Sequence, residues 1–434
     1  MIANRRPRPT SDDRELRLWK VGRALTITFA TAVLVAGGIF YGLVYLLDFQ
    51  EIDTTTKLDA KTLFDLMKLS FGVVAGAGAL VALVVAYRRQ RVDEAGAHRE
   101  ATRLHTERFS QAVDKLGSDS PAVRLGGVHA LAGLADDAPE ANLRQTCIDV
   151  LCAYLRLPHT PDPGTTELEN HHLYLALREV RHTILRLIGD HYRRPEGTHH
   201  SWQGCDLDLT GVTIDSHIDF TDARFTRGTV AFSGSTLSGG TVSFEGASFS
   251  GGTVDFGYAL LSSGALFFGG ASLSSGTVNF GDASLSGSSV SFADASFSGG
   301  AVAFGGATIS GSTVYFNRAK ISGGTVDFAD SSLISGAVTF DQATISSDGV
   351  VTFKDSTLLG GMVTFDETRI FGGTVHFMGA GISSNTVSFN GTVISSGTLD
   401  FSSTTGPAPT GLLTAVGSPV PTTVILSRAW SPIP

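Results

Sequence analysis

Apolar residues are distributed along this chain in three successive patterns. The first is unbroken. Leu25 to Leu47 is a run of 23 residues without a charge, bounded by Arg23 and Asp48, and Leu69 to Tyr87 is a second of 19, bounded by Lys68 and Arg88. As helices rising about 1.5 Å per residue they reach about 35 and 28 Å, against about 30 Å for a hydrocarbon layer. The pattern therefore predicts a two-helix transmembrane hairpin over 25–87 (spans 25–47 and 69–87, outer loop 48–68), after a basic N-terminal stretch, 1–24. A cleaved signal peptide would have a shorter apolar region and a small-residue exit site.

The second pattern has helical period. Arg88 to Leu116 continues the second run, with Phe109, Val113 and Leu116 at helical spacing, and Gly117-Ser118-Asp119 ends it. Ser120-Pro121 reads as an N-cap with Pro at the first helical position, opening a helix to Ala135 with Val128, Leu131 and Leu134 on one stripe. Glu140 to Arg156 forms a partner helix, 158–164 a linker, and Glu167 to Tyr192 a further long helix. Together 88–200 make a helical linker domain.

The third pattern is a repeat. Phe recurs every 12 residues from Phe220 to Phe340, and after one added residue again from Phe353 to Phe401, which places 16 of the 27 Phe in one register. An aliphatic stands two residues before each, and a second large apolar residue five after, itself usually preceded at two places by Ala. The unit is Val-x-Phe-x-x-Ala-x-Leu-Ser-Gly-Gly-Thr. Both pairs alternate at period two, so each delivers its residues to one side of a short extended segment. The five-residue offset is one corner. Gly-Gly is expected to make a second, wider one by accepting positive φ. The added residue, near 346–350, falls in that corner, because inside a strand a slip would turn the Phe outward. Leu207-x-Leu209-x-x-Val212-x-Ile214 is a degenerate first unit.

Val230-x-Phe232, Ala247-x-Phe249, Ala271-x-Leu273 and Ala307-x-Ile309 resemble the paired positions of the pentapeptide-repeat family, over 207–401. The departure is a 5+5+2 tandem with Val on alternate faces. The resemblance implies an all-β, right-handed parallel (quadrilateral) β-solenoid over 201–401, with two units in each 24-residue coil and 7–8 coils stacked over roughly 36 Å. A 12-residue coil would overfill so narrow an interior. The segments 108–117, 122–131 and 202–209 resemble the cytoplasmic linker of actinobacterial two-span membrane proteins that end in pentapeptide repeats.

Composition follows from this division. The 51 Gly belong largely to corners, and charged residues are only 17% of the chain. Residues 1–23 carry seven Lys and Arg, 88–108 six, and 48–68 three. The positive-inside rule then places both termini and the repeat in the cytoplasm of a multi-pass plasma-membrane protein, with the lipid bilayer as one partner. Gly38 with Gly42 and Gly72 with Gly76 are small-residue pairs at which helices could approach, within the hairpin or in a homodimer. The solenoid edge is a second dimer surface, which Leu412, Leu413, 424–426 and Trp430 of the Pro-rich tail, 402–434, would cap.

No constellation for chemistry emerges. His171, His172, His182, His191, His199 and His200 lack metal-ligand spacing. Cys147 and Cys152 point apart on a helix, and Asp206, Asp208, Asp215 and Asp219 are expected to be solvated. The sequence offers no catalytic residue and implies no cofactor or metal. Residues 220–401 hold 13 acids and 6 bases, too sparse and mixed for a DNA-mimicking inhibitor, the alternative function, and no basic face suits nucleic acid. A Thr column (Thr229, Thr241, Thr253, Thr277, Thr313, Thr325, Thr374, Thr386, Thr398), broken by Ala265 and Ala301, reads as corner residues rather than an ice-binding surface. The expected function is a non-enzymatic, membrane-anchored interaction scaffold for a protein partner.

Overall fold

The computed structural model describes residues 60–158, 162–164 and 166–430, and scattered helical positions between 26 and 38. The chain divides into two compact units, Met1–Ala101 and Thr102–Pro434.

Helix α1 spans Ala60–Leu116 without a break. The first proposed span, 25–47, and its Gly42 lie largely outside the described residues. The second is the early part of α1, and there the membrane reading is corrected: among the described residues no helix is long and apolar enough to cross a membrane. The run is 19 residues, near the lower limit for a span. The transmembrane hairpin, the multi-pass plasma-membrane location and the topology built on them fall with it, and the bilayer had those spans as its only basis as a partner. Gly72 and Gly76 have nothing within 4 Å of where a Cβ would stand.

Three helices precede the solenoid: α2 (Pro121–Asp136), α3 (Ala141–Arg156) and α4 (Leu168–Arg193). Their bounds follow the sequence signals. Pro121 sits at the N-terminus of α2, although the Ser120 side chain makes no cap hydrogen bond. Val128, Leu131, Ile148, Leu151 and Leu155 are buried, as their spacing implied, while Leu143 is half-buried. Gly127 lets α2 approach the end of α1: a Cβ there would stand 2.6 Å from the Leu116 nitrogen.

From Leu207 the chain is a parallel β-solenoid of about nine turns reaching residue 425. One ladder shows the coil length. Leu207, Val230, Val254, Val278, Val302, Val326, Val351, Val375, Leu399 and Val424 are successive register partners. The usual step is 24 residues, which settles the coil at two units. The rod is longer than the 7–8 coils expected because the first unit and the tail each add a rung. Four parallel ladders result, two from each unit, grouped into one 16-stranded and one 14-stranded sheet.

The Phe ladder splits into two columns. Phe220 to Phe389 stack in one and Phe232 to Phe401 in the other, with ring centroids 4.5–5.1 Å apart and planes within 2–13° of parallel. All sixteen are buried. The added residue lies in the corner after Ile345, where the register shifts, and the Phe columns continue past it undisturbed.

The wide corner uses positive φ at many units, as the sequence implied, and the tight corner uses it at every unit, which the sequence did not show. Positive φ occurs in many wide corners at a Gly (Gly228, Gly239, Gly264, Gly287, Gly311, Gly336, Gly372 and Gly397), and also in the tight corner, at the residue two after each Phe. All sixteen tight-corner positions lie between 54° and 74°, and ten of them are not Gly. The nitrogen of the following residue donates to the Phe carbonyl, as Ala259 does to Phe256 at 3.0 Å. That hydrogen bond with positive φ at the third residue defines a type II turn. In the Gly-Gly corner the second Gly is also a spacer. A Cβ on Gly300 would stand 2.8 Å from the Gly276 oxygen, and one on Gly324 would stand 2.5 Å from the Gly300 oxygen, so the coils can stack only without it.

The tail is a fitted cap. A short helix α5 (Leu412–Val416) buries Leu412, Val424 pairs with Leu399, and the Trp430 ring meets Phe401 at 5.3 Å. Leu413 is exposed and takes no part.

Candidate functional site: the helical cap, its cleft and the solenoid faces

At the N-terminal end, α4 closes the solenoid. A Cβ on Gly189 would stand 2.6 Å from the Asp219 carbonyl oxygen, so the helix rests on the backbone of the first coil. Beside it Tyr192 sets its ring edge-on to Phe220 at 5.5 Å. Burial pushes the Tyr192 hydroxyl well above its usual pKa, which fits a packing role.

The carboxylates expected to be solvated do something else. Asp208 pairs with Arg156, Asp219 with Arg193 at 2.9 Å, and Asp206 accepts the Thr229 nitrogen at 2.7 Å. Asp215 accepts from Arg178 Nε at 2.7 Å and lies 3.0 Å from His182 Nε2. The hydrogen bond to His182, then that from Arg178, outweigh its burial and hold its carboxyl well below the usual range. Together these pairs fasten α3 and α4 to the first coils. Expecting alternation, sequence reasoning sent the acids outward correctly, but had no view of the Arg side chains waiting there.

Asp136, at the end of α2, is a second hub. Its carboxylate accepts from Trp202 Nε1 at 3.0 Å and lies 3.2 Å from His191 Nε2 and 3.1 Å from His200 Nδ1. His191 stacks on Trp202 with centroids 4.1 Å apart. His171 pairs with Asp162 at 2.7 Å. His171, His182, His191 and His200 thus each meet one carboxylate, His199 lies against His200, and among the described residues no three His, Cys, Asp or Glu side chains gather to hold a metal ion. Cys147 and Cys152 are buried in α3, and burial pushes their thiols up to about 11 and about 12. Thiols so protonated are poor nucleophiles.

A cleft of about 430 Å³ opens between α3, α4 and the first coil, lined by Arg124, Tyr154, Tyr174, Arg178, Arg181 and Asp215 among others. Sequence reasoning did not single it out. Its one local signal is Tyr174, Arg178 and Arg181 at helical spacing, which share a face of α4.

On the solenoid, the single Thr column of the sequence becomes two, since alternate units face opposite sides. Thr229, Thr253, Thr277, Ala301 and Thr325 form one, and Thr241, Ala265, Ser289 and Thr313 the other. They belong to strands rather than corners. Apolar side chains also break the polar skin. Ile334 and Leu359 lie one coil apart at the same corner with Met362 beside them, at 47%, 60% and 50% exposure.

Compared with known proteins, the chain matches no family, no curated protein and no solved structure.

Proposed function

We propose that this protein is a non-enzymatic interaction scaffold whose solenoid offers a rigid surface to a protein partner. The observation that supports this is the use of side chains along the rod. Each coil commits the paired apolar residues of its repeat to the core and leaves outside a skin made mostly of Ser, Thr, Gly and Asp. Such a surface offers repeated hydrogen-bonding positions at fixed spacing. The Ile334, Leu359 and Met362 patch is the kind of exposed apolar group, rimmed by polar residues, that marks protein contact. The four ladders and 12-residue unit are consistent with the pentapeptide-repeat resemblance. The DNA-mimic alternative draws no support, because the carboxylates at the tight corner are interrupted: Asp294 is followed one coil on by Arg318, which pairs with it at 2.6 Å.

The test is affinity capture with the full chain and with an I334S/L359S/M362S variant. A partner retained by the first and lost by the second is expected. Identical recoveries from both baits would remove this patch as the docking surface, and no recovery from either would remove the scaffold reading.

A further inference from the structure

The cleft beside α4 has a charge balance that its own residues leave incomplete. Three guanidinium groups line it. That of Arg178 is matched by Asp215, whose other oxygen is taken by His182. Arg124 gives its hydrogen bonds to neutral acceptors, the Ser118 carbonyl and the Tyr154 hydroxyl, so its charge is not neutralised. Arg181, half-buried, makes no hydrogen bond or ion pair with any described residue. Burial pushes its pKa down, with Asp215 acting on it only from beyond ion-pair range. The remaining acid in the lining, Glu167, is exposed and accepts from Asn170 at 2.7 Å.

A partly desolvated cation without an acceptor is costly, and an anion entering the cleft would relieve that cost. The other walls are apolar. Leu157, Leu173, Leu177 and Pro158 line the cleft with the two tyrosines, and Leu157 and Leu173 remain 56% and 47% exposed. A volume of about 430 Å³ falls in the range of small-molecule sites.

We propose that this cleft binds a small organic anion, its acid group held by Arg181 with Arg124 beside it and its aromatic or aliphatic body against Tyr154, Tyr174 and the leucines. The site is independent of the solenoid's docking surface.

The test is fluorescence titration of the full chain with 8-anilinonaphthalene-1-sulfonate and with its uncharged analogue N-phenyl-1-naphthylamine. R181Q is expected to weaken sulfonate binding about tenfold or more, R181K to recover part of it, and the neutral probe to change less than about twofold. A thermal melt verifies that each variant is folded. Should R181Q not fold, R124Q carries the same expectation. Sulfonate binding that survives the substitution, or equal weakening of both probes, would overturn the proposal.

Discussion

Tyr258 sits at φ 58° with 69% of its surface in solvent. It occupies the third position of a type II turn, where Gly, Asp or Asn is the comfortable choice and other L-residues carry about 1–2 kcal/mol of strain. Tyr258→Gly is therefore expected to stabilise the fold by up to about 1 kcal/mol, the gain reduced by the entropy of Gly in the unfolded chain. Denaturant melts would show the midpoint rising, and a fall would mean that the ring makes a contact worth more than the strain. Gly300→Ala is expected to cost about 1–3 kcal/mol or more, because the Gly276 oxygen and the Leu273 Cβ both lie 2.8 Å from the new methyl. An unchanged midpoint would count against the spacer role. The sequence pointed to Gly at the wide corner, where some glycines supply positive φ, as Gly264 does, and others supply space, as Gly300 does. The positive-φ position of the tight corner was illegible because Asp, Gly, Tyr, Arg, Gln, Glu and Ser share it without a common signature.

Among elements, the three helices before the solenoid were legible to within a few residues, because Pro121, the 117–119 break and the apolar stripes are local signals, whereas α1 begins at Ala60, inside the loop expected over 48–68. The attachment of those three to the solenoid was not legible, since Arg178 and Asp215 are 37 residues apart and nothing local links them. That attachment is testable by pH. A carboxyl held below its unfolded value adds stability that is present above about pH 4 and is lost as pH falls through the lower, folded value. Asp215→Asn should cost about 1–3 kcal/mol at neutral pH and much less in acid. A penalty that is the same at both would show that the charge is not what Asp215 contributes. Within the solenoid, Phe304→Leu should cost less than Phe304→Ala, for which about 3–5 kcal/mol is expected from the cavity it opens. Chemical denaturation of the pair would reveal whether this column tolerates a break of the kind that Leu273 makes in the separate column of Phe249 and Phe297.

For the solenoid as a whole, the tail decides whether its last coil has an open edge. Val424 pairs with Leu399 and Trp430 covers Phe401. Ending the chain after Phe401 should expose unpaired backbone groups and aromatic surface, and shift the protein toward dimers or larger species in light scattering. A truncated chain that stays at the mass of the intact one would show the cap to be dispensable.

The division of each coil into two halves on opposite sides gives the rod a phase as well as a length. Removing 277–300 joins Gly276 to Ala301, the register partner of Thr277. It shortens the axis by one step of about 4.8 Å and leaves every downstream side chain at its old azimuth. Removing only 277–288 rotates everything beyond the join by half a revolution about the axis. Whatever docks beyond residue 300 would then lie on the opposite side of the rod. Chain length along this rod is thus an angular address, and only whole coils can be added or lost without rewriting it.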